Sequence, residues 1–184
     1  MSASAGVSRT RNGRPRRISV VGATGSGKTH LSRILAAELN LPVYELDSLR
    51  RDSAGRELAH EQFAQAVAEL AARDEWIIDG HYRDVRELIW KQADTVLWLN
   101  YPLSRIFLQL VRRFSGKHAT DNSQAHAGNS GRASWRRRLG RLARTLRERG
   151  EYGRVLRGPG FEAVDVVELR SPKAATEWVR RRAS

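Results

Sequence analysis

The chain has 184 residues, of which 40% are hydrophobic, and its formal net charge is +13; this length and composition predict one globular domain with a full core. No apolar run approaches the roughly 20 residues that span a bilayer, and the first residues lack the apolar stretch of a secretory signal, so we expect neither a membrane partner nor secretion. Cysteine is absent, which excludes disulfides and cysteine-bound metal and fits a cytoplasmic location.

The positive charge comes almost entirely from arginine, which clusters in residues 9–17 and 132–157. A charge of this size attracts polyanions, so nucleic acid is a candidate partner through the basic segments. The alternative is that arginine is simply the usual solvated cation of this chain.

Predicted strands and helices alternate along the chain after a polar beginning. Residues 1–16 hold Ser, Gly and Arg with almost nothing apolar, and they predict a disordered basic tail. Apolar strands are predicted at 18–21, 43–46, 75–79, 95–99 and 164–169. Apolar residues at helical spacing predict helices at 28–39, 60–73, 84–92, 102–114 and 135–149, and a last helix that Ser171 caps and Pro172 begins.

This alternation predicts an α/β fold with a five-stranded parallel sheet and helices on both of its faces. Residues 17–184 would form this single domain. Residues 115–134 contain almost no large apolar group, and a gap of that length inside a domain is typical of a functional loop, here a short lid.

A glycine-rich stretch, GATGSGKT, follows the first predicted strand and matches in full the phosphate-binding pattern GxxxxGK[ST]. Its glycines let backbone amides approach a phosphate closely, and the helix that follows directs its N-terminal dipole toward the anion. The predicted ATP-binding residues are therefore Gly22, Ala23, Thr24, Gly25, Ser26, Gly27, Lys28 and Thr29. Lys28 is expected to reach the β- and γ-phosphates, and the Thr29 hydroxyl to coordinate Mg²⁺. The alternative is a glycine-rich turn that only joins strand to helix.

Two carboxylates stand where parallel sheets bind ligands, just past the carboxyl ends of strands. Asp79 ends the apolar run WIID, and we expect it to hold Mg²⁺ directly or through water; otherwise it caps a turn. Asp47 follows the second strand. It either orients or deprotonates an acceptor hydroxyl, or simply starts the next turn.

Four stretches occur in a characteristic order: GATGSGKT, LDSLR (46–50), IIDGHYR (77–83) and ADTVLWLNYP (93–102). Together they resemble the nucleoside-monophosphate kinase branch of the P-loop NTPases. A closer resemblance is to small adenylate-kinase-like bacterial proteins, some of them labelled DNA topology modulation proteins, and it covers roughly residues 18–180. DGHYR lacks the proline of the adenylate kinase element DGFPR, and the predicted lid lacks that family's usual charged markers.

The resemblance implies a P-loop NTPase fold and roles for several arginines. Arg50 would lie at the acceptor together with Asp47, and Arg83 would contact the acceptor or the transferring phosphoryl group. Arg112 or Arg113 would flank the nucleotide. Arginines of residues 136–144 would close over the phosphates.

The predicted helix 135–149 carries Arg137, Arg141 and Arg144 on one side and leucines on another. In a lid helix these guanidinium groups would neutralise charge on the transferring phosphoryl group, which makes Arg137 and Arg141 candidate catalytic residues. The alternatives are contact with nucleic acid phosphates and a plain solvated face.

Two function hypotheses follow from these residues. The first is a kinase-like enzyme that uses ATP and Mg²⁺ to phosphorylate a nucleotide or another small-molecule acceptor. The second is a nucleic-acid-associated P-loop ATPase or regulatory protein, which only the basic segments support.

Overall fold

The structure is a computed structural model, and it describes residues 10–11, 14–80, 82–102, 104, 150–158, 161 and 163–183. The predicted lid (115–134) and the predicted basic helix (135–149) lie outside these residues. None of the helices described is long and apolar enough to cross a membrane.

A short hairpin precedes the main sheet, at a place where the sequence predicts a disordered tail. Strand β1 (Thr10–Arg11) pairs antiparallel with strand β2 (Arg14–Pro15). A guanidinium nitrogen of Arg14 donates a hydrogen bond of 2.7 Å to the carbonyl oxygen of Ala183. Residues 10–11 and 14–15 are thus paired main chain, and the predicted tail over residues 1–16 as a whole stays a prediction. Its composition shows the lack of apolar groups, but not the main-chain pairing that orders a polar segment.

Five parallel strands form the main sheet, as predicted. In space their order is β4-β5-β3-β6-β7, with every neighbouring pair parallel, so β3 occupies the middle. The strands are β3 (Arg17–Gly22), β4 (Val43–Glu45), β5 (Trp76–Asp79), β6 (Thr95–Leu99) and β7 (Asp165–Leu169). Since all five run in one direction, their carboxyl ends meet at a single edge, where ligands bind in such sheets.

Helices cover both faces of this sheet, which confirms the predicted α/β architecture. They are α1 (Lys28–Leu39), α2 (Leu46–Leu49), α3 (His60–Ala71), α4 (Arg86–Gln92) and α5 (Pro172–Ala183). Successive side chains of β3 point to opposite faces of the sheet. Ile18 lies in one apolar cluster with Leu35 of α1 and Val179 of α5, whereas Val21 lies in another with Phe63 of α3 and Trp90 of α4.

The ends of the outer helices follow local sequence signals. The hydroxyl oxygen of Ser171 accepts a 3.1 Å hydrogen bond from the amide of Ala174, so Ser171 caps α5 as predicted. Helix α1 has the predicted bounds, whereas α3 and α4 are two residues shorter than predicted. The short helix α2 was not expected, because LDSL carries no helical periodicity.

Residues 150–155 are helical and attach to the core through Tyr152, which is 1% exposed. The Tyr152 ring lies 6.3 Å from the rings of both Trp90 and Trp98. At Gly153 a Cβ would approach Trp98 to 3.3 Å. This segment is therefore fixed against the face that α3 and α4 cover.

Candidate active site

The predicted phosphate loop connects β3 to α1 at the carboxyl edge of the sheet. Gly25 and Gly27 adopt φ angles of 81° and 90°, a conformation that glycine reaches at little cost. Gly27 is the N-cap of α1, and it has no side chain that could cap the helix. The amino end of α1, where helix amides and the helix dipole favour an anion, therefore lies at the loop, as the predicted phosphate cradle requires.

The side chain of Lys28 lies against this loop. Its Nζ donates to the carbonyl oxygens of Gly22 at 3.0 Å and Ala23 at 3.2 Å. The ammonium group is therefore held at the loop, and its predicted contact with the β- and γ-phosphates stays a prediction.

Gly22 packs too closely for any side chain. A Cβ there would lie 2.9 Å from both the Leu99 carbonyl oxygen and the Ser26 hydroxyl oxygen. We therefore expect Gly22→Ala to lower the free energy of unfolding by about 1–3 kcal/mol through overpacking, and also to weaken ATP binding, because the clash displaces the loop.

Thermal unfolding with and without ATP measures both effects of this change. The control is Gly150→Ala, where a Cβ meets nothing within 4 Å and a helical alanine is more favourable than glycine. An ATP-dependent stabilisation in Gly22→Ala equal to that of the wild type would contradict the close-packed cradle.

The two predicted metal-binding residues meet beside the loop. The hydroxyl of Thr29 donates to Oδ2 of Asp79 at 2.6 Å, and Asp79 is only 5% exposed. Its other oxygen, Oδ1, is buried and accepts no hydrogen bond from the described part of the chain. A hydroxyl and a carboxylate are oxygen ligands of the kind that Mg²⁺ prefers, so these residues fit the ion. Coordination itself stays a prediction.

The electrostatics of Asp79 support the same interpretation. Burial raises its pKa above the ordinary value, an effect that the Thr29 hydrogen bond and the Lys28 charge only partly offset. The charges of Glu45 and Asp47 act in the same direction as burial. Asp79 is therefore a buried carboxylate whose ionised form is costly without a further cation.

Asp47 lies in the first turn of α2 and is exposed. The Tyr82 hydroxyl donates to its Oδ1 at 2.9 Å. Burial raises the Tyr82 pKa, as do the hydrogen bond and the charge of Asp47, so the phenol stays protonated and donates. Sequence reasoning gave Tyr82 no role, although it stands only three residues past the end of β5.

Arg50 lies over two aromatic rings close to Asp47. Its guanidinium carbon is 4.9 Å from the centre of the Phe63 ring and 5.6 Å from that of Tyr82. These two rings pack edge to face at 5.1 Å. Cation–π contacts of this kind fix the direction of a guanidinium group, so Arg50 is part of the same cluster as Asp47.

Gly80 allows this cluster to form. It has a φ of 127°, and a Cβ there would meet the Leu46 Cβ at 3.1 Å. The turn after β5 therefore approaches α2 closely enough for Tyr82 to reach Asp47. Sequence reasoning did not single out Gly80.

The predicted acceptor residue Arg83 is exposed and forms an ion pair with Glu151, a carboxylate that Arg86 shares. Neither Arg86 nor Glu151 was predicted, because Glu151 lies within an arginine-rich stretch far along the chain. Arg112, Arg113, Arg137 and Arg141 lie outside the described residues, so their predicted roles stay predictions.

A cavity of about 410 Å³ opens between α1 and α5, beside the phosphate loop. Its lining includes Ser26, Gly27, His30, Tyr101, Pro172 and Thr176. Its volume is within the range of small-ligand pockets.

Solved structures share this architecture. A gluconokinase from Sinorhizobium meliloti is similar over 92% of this chain and 94% of its own, with a TM-score of 0.53 and 20% identity. A shikimate kinase from Acinetobacter baumannii in complex with shikimate is similar over 90% and 89%, with a TM-score of 0.53 and 20% identity. The chain has the fold of small-molecule P-loop kinases. At these identities the likeness concerns the fold alone.

A sugar kinase from a Janibacter species shows the kinase fold as well, with a TM-score of 0.50, 17% identity, and coverage of 90% of this chain and 91% of that one. No family model and no curated protein matches the chain. The predicted P-loop NTPase fold is thus confirmed. The narrower resemblance to proteins labelled for DNA topology stays a prediction.

Within this kinase fold the predicted residues form two neighbouring groups at the carboxyl edge of the sheet. The first holds the loop, Lys28, Thr29 and Asp79. The second holds Asp47 and Arg50 with Tyr82. The two are electrostatically coupled, because the Asp47 charge contributes to the raised pKa of Asp79.

Proposed function

We propose that this protein is an ATP-dependent phosphotransferase that phosphorylates a hydroxyl group of a small molecule. One observation carries the proposal: the buried carboxylate of Asp79 is hydrogen-bonded to Thr29, and its second oxygen has no hydrogen-bond partner among the described residues. An ionised carboxylate in that environment is stabilised by a bound divalent cation. Mg²⁺ held by Thr29 and Asp79 would supply charge neutralisation for the transferring phosphoryl group.

The loop between β3 and α1 forms the phosphate-binding side of the proposed site. Lys28 and the uncapped amides of α1 provide cationic and N–H donors for phosphate oxygens. The cavity of about 410 Å³ between α1 and α5 offers room for the nucleoside of ATP.

The acceptor side favours a hydroxyl group over a phosphate. Asp47 is an exposed carboxylate, which repels a phosphate acceptor. Tyr82 donates to Oδ1 of Asp47, which leaves Oδ2 to accept a proton. The similar folds include a shikimate kinase bound to shikimate, a small hydroxyl-bearing acid, and this supports the same class of acceptor.

The proposed reaction transfers the γ-phosphoryl group of ATP to the acceptor hydroxyl. The bond between the γ-phosphorus and the β–γ bridging oxygen breaks, and a bond forms between the γ-phosphorus and the acceptor oxygen. The hydroxyl proton passes to Asp47, and ADP leaves. Arg50 and Arg83 bind and orient the acceptor, so most of the rate gain comes from positioning and charge stabilisation.

The test is a screen of hydroxy acids, sugars and nucleoside monophosphates with ATP and Mg²⁺, with Lys28→Ala as the blank. We expect phosphorylation of a hydroxyl-bearing acceptor, and a loss of about 100-fold or more in turnover in Asp47→Asn, because the general base is gone. Phosphorylation of nucleoside monophosphates alone, unaffected by Asp47→Asn, would overturn the choice of acceptor.

A nucleic-acid-associated ATPase is a second candidate, and one surface favours it. The last turn of α5 carries Arg180, Arg181 and Arg182, and its Ala183 carbonyl oxygen accepts a hydrogen bond from Arg14 of the hairpin. Arginines from both ends of the described chain thus lie near one another. Stimulation of ATP hydrolysis by duplex DNA, with no acceptor phosphorylated, would favour this candidate over the first.

A further inference from the structure

Glu151 joins two arginines from the turn and helix that follow β5. Its Oε2 accepts a hydrogen bond from Arg83, and its Oε1 accepts one from Arg86. The Glu151 side chain is 14% exposed. Both carboxylate oxygens are therefore engaged by guanidinium groups in a largely buried position.

The two arginines differ in their surroundings. The Arg86 side chain is 15% exposed, and its guanidinium carbon lies 5.8 Å from the centre of the Trp90 ring. The Arg83 side chain is 59% exposed. Arg86 is thus held by the core, whereas Arg83 keeps most of its surface open to a ligand.

Arg86 is in turn anchored through Trp90. Trp90 is 1% exposed, and its indole nitrogen donates to the Ser19 hydroxyl oxygen at 3.2 Å on the central strand β3. A continuous set of contacts therefore runs from β3 through Trp90, Arg86 and Glu151 to Arg83.

Glu151 is ionised in this arrangement. Burial alone raises its pKa, but the hydrogen bonds and charges of Arg86 and Arg83 outweigh burial, so the Glu151 pKa lies below its ordinary value. A charged carboxylate binds guanidinium groups more strongly and more directionally than a neutral acceptor does.

Arg83 directly follows Tyr82 in the chain, and the Tyr82 hydroxyl donates to Asp47 of the proposed acceptor group. A long arginine side chain with a free choice of rotamers loses entropy whenever it must bind. A side chain already fixed in the free protein avoids most of that loss at the moment of reaction.

We propose that Glu151 is a positioning residue that fixes the exposed guanidinium group of Arg83 at the acceptor side of the site. This inference rests on the proposed function for its kinetic consequence, but the ordering of Arg83 can be measured without turnover. Glu151 itself touches no substrate in this assignment and acts only through Arg83.

The kinetic test is a double-mutant cycle with Glu151→Gln and Arg83→Ala. We expect Glu151→Gln to lower kcat by about tenfold and Arg83→Ala by about 100-fold, with the KM for ATP changed little, since misplacement of a positioning group costs rate. The double variant should match Arg83→Ala alone. Effects that multiply to about 1,000-fold would overturn the proposal, because Glu151 would then act independently of Arg83.

A matched control and a conservative variant complete the cycle. Glu75 pairs with Arg16 at 2.6 Å, next to the amino end of β5 and away from the site, so Glu75→Gln should leave kcat within about twofold. Glu151→Asp keeps the charge on a shorter side chain and should retain more activity than Glu151→Gln. A Glu151→Asp variant with lower kcat than Glu151→Gln would contradict a role for the charge.

Side-chain ¹⁵N NMR relaxation of the Arg83 Nε–H group measures the positioning directly. We expect this group to be ordered in the wild type and mobile in Glu151→Gln, whereas Arg16 stays unchanged. Equal mobility of Arg83 in both proteins would overturn the proposal. A wild type that phosphorylates no acceptor would contradict the proposed function, and the NMR result would still decide whether Glu151 orders Arg83.

Discussion

Replacing Lys28 with alanine is expected to lower phosphoryl transfer by about a thousandfold or more, because a cation that neutralises the transferring group is worth that much in rate. Lys28 also donates hydrogen bonds to the carbonyl oxygens of Gly22 and Ala23. The loss of these bonds should cost only about 1–2 kcal/mol of stability. Steady-state turnover and thermal unfolding of the same preparation separate the two effects.

Lys91 provides the control for Lys28. Its side chain is 61% exposed and pairs with Glu87 within α4 at 3.5 Å. Lys91→Ala should leave turnover within about twofold, since an exposed pair contributes little. A Lys28→Ala protein that keeps more than about a tenth of wild-type turnover would contradict the predicted role of Lys28 at the phosphates.

Replacing Asp79 with asparagine is expected to have two opposite effects. Turnover should fall by about 100-fold to 1,000-fold, because asparagine removes the charge that is proposed to hold Mg²⁺. The ligand-free protein should become more stable at neutral pH, because a buried carboxylate with a raised pKa is replaced by a neutral group of similar shape. Without ligand, Asp79→Asn should unfold at a higher temperature than the wild type. With ATP and Mg²⁺, the wild type should unfold at the higher temperature.

The pH dependence of the stability gained by Asp79→Asn follows from the direction of the Asp79 pKa shift. The pKa of folded Asp79 lies above the ordinary value of 3.8, so ionisation destabilises the fold at neutral pH. As pH falls below the folded pKa, Asp79 takes up a proton in the folded protein and the penalty declines, until it is gone below the unfolded pKa. The stability gained by Asp79→Asn should therefore be complete near pH 7 and vanish below the unfolded pKa.

Asp52 provides a control, because its pKa is shifted in the direction opposite to that of Asp79. The backbone amide of Arg56 is the main cause that lowers the Asp52 pKa, so its ionised form stabilises the fold at neutral pH and this contribution is lost in acid. Asp52→Asn should lower stability near pH 7 and leave turnover unchanged. An Asp79→Asn protein that is less stable than the wild type at pH 7 would contradict the assignment of Asp79 as a buried charge in need of a cation.

The sequence was sufficient for the sheet, for most of the described helices and for the loop between β3 and α1, because each has a local signal. The strand TVLWL is buried on both faces, and each of its residues is at most 5% exposed, as a continuous apolar run predicts. The Ser171 cap needs only a hydroxyl three residues before the amide that it binds. Thr29 was predicted from the phosphate-binding pattern and Asp79 from its place at the end of an apolar strand, and the two lie 50 residues apart in the sequence. They meet because strand ends converge in a parallel sheet.

The remaining contacts of the site could not be predicted, because they join side chains that no local pattern relates. Tyr82 and Asp47 are 35 residues apart, and Arg83 and Glu151 are 68 residues apart. The hairpin at the start of the chain is stabilised by main-chain pairing and by the Arg14 contact with the end of α5. Hydrophobic patterning carries no information about such polar contacts, and only those of Tyr82 and Arg83 belong to the proposed acceptor side.

The most direct test of a Mg²⁺-dependent phosphotransferase is ³¹P NMR of ATP incubated with the protein, Mg²⁺ and a pool of hydroxyl-bearing acceptors. We expect the γ-phosphate signal to be replaced by a phosphate-ester signal as ADP appears. Neither change should occur with Lys28→Ala or without Mg²⁺. Release of the γ-phosphorus only as inorganic phosphate, at a rate that duplex DNA raises and acceptors do not, would contradict phosphoryl transfer to a small molecule.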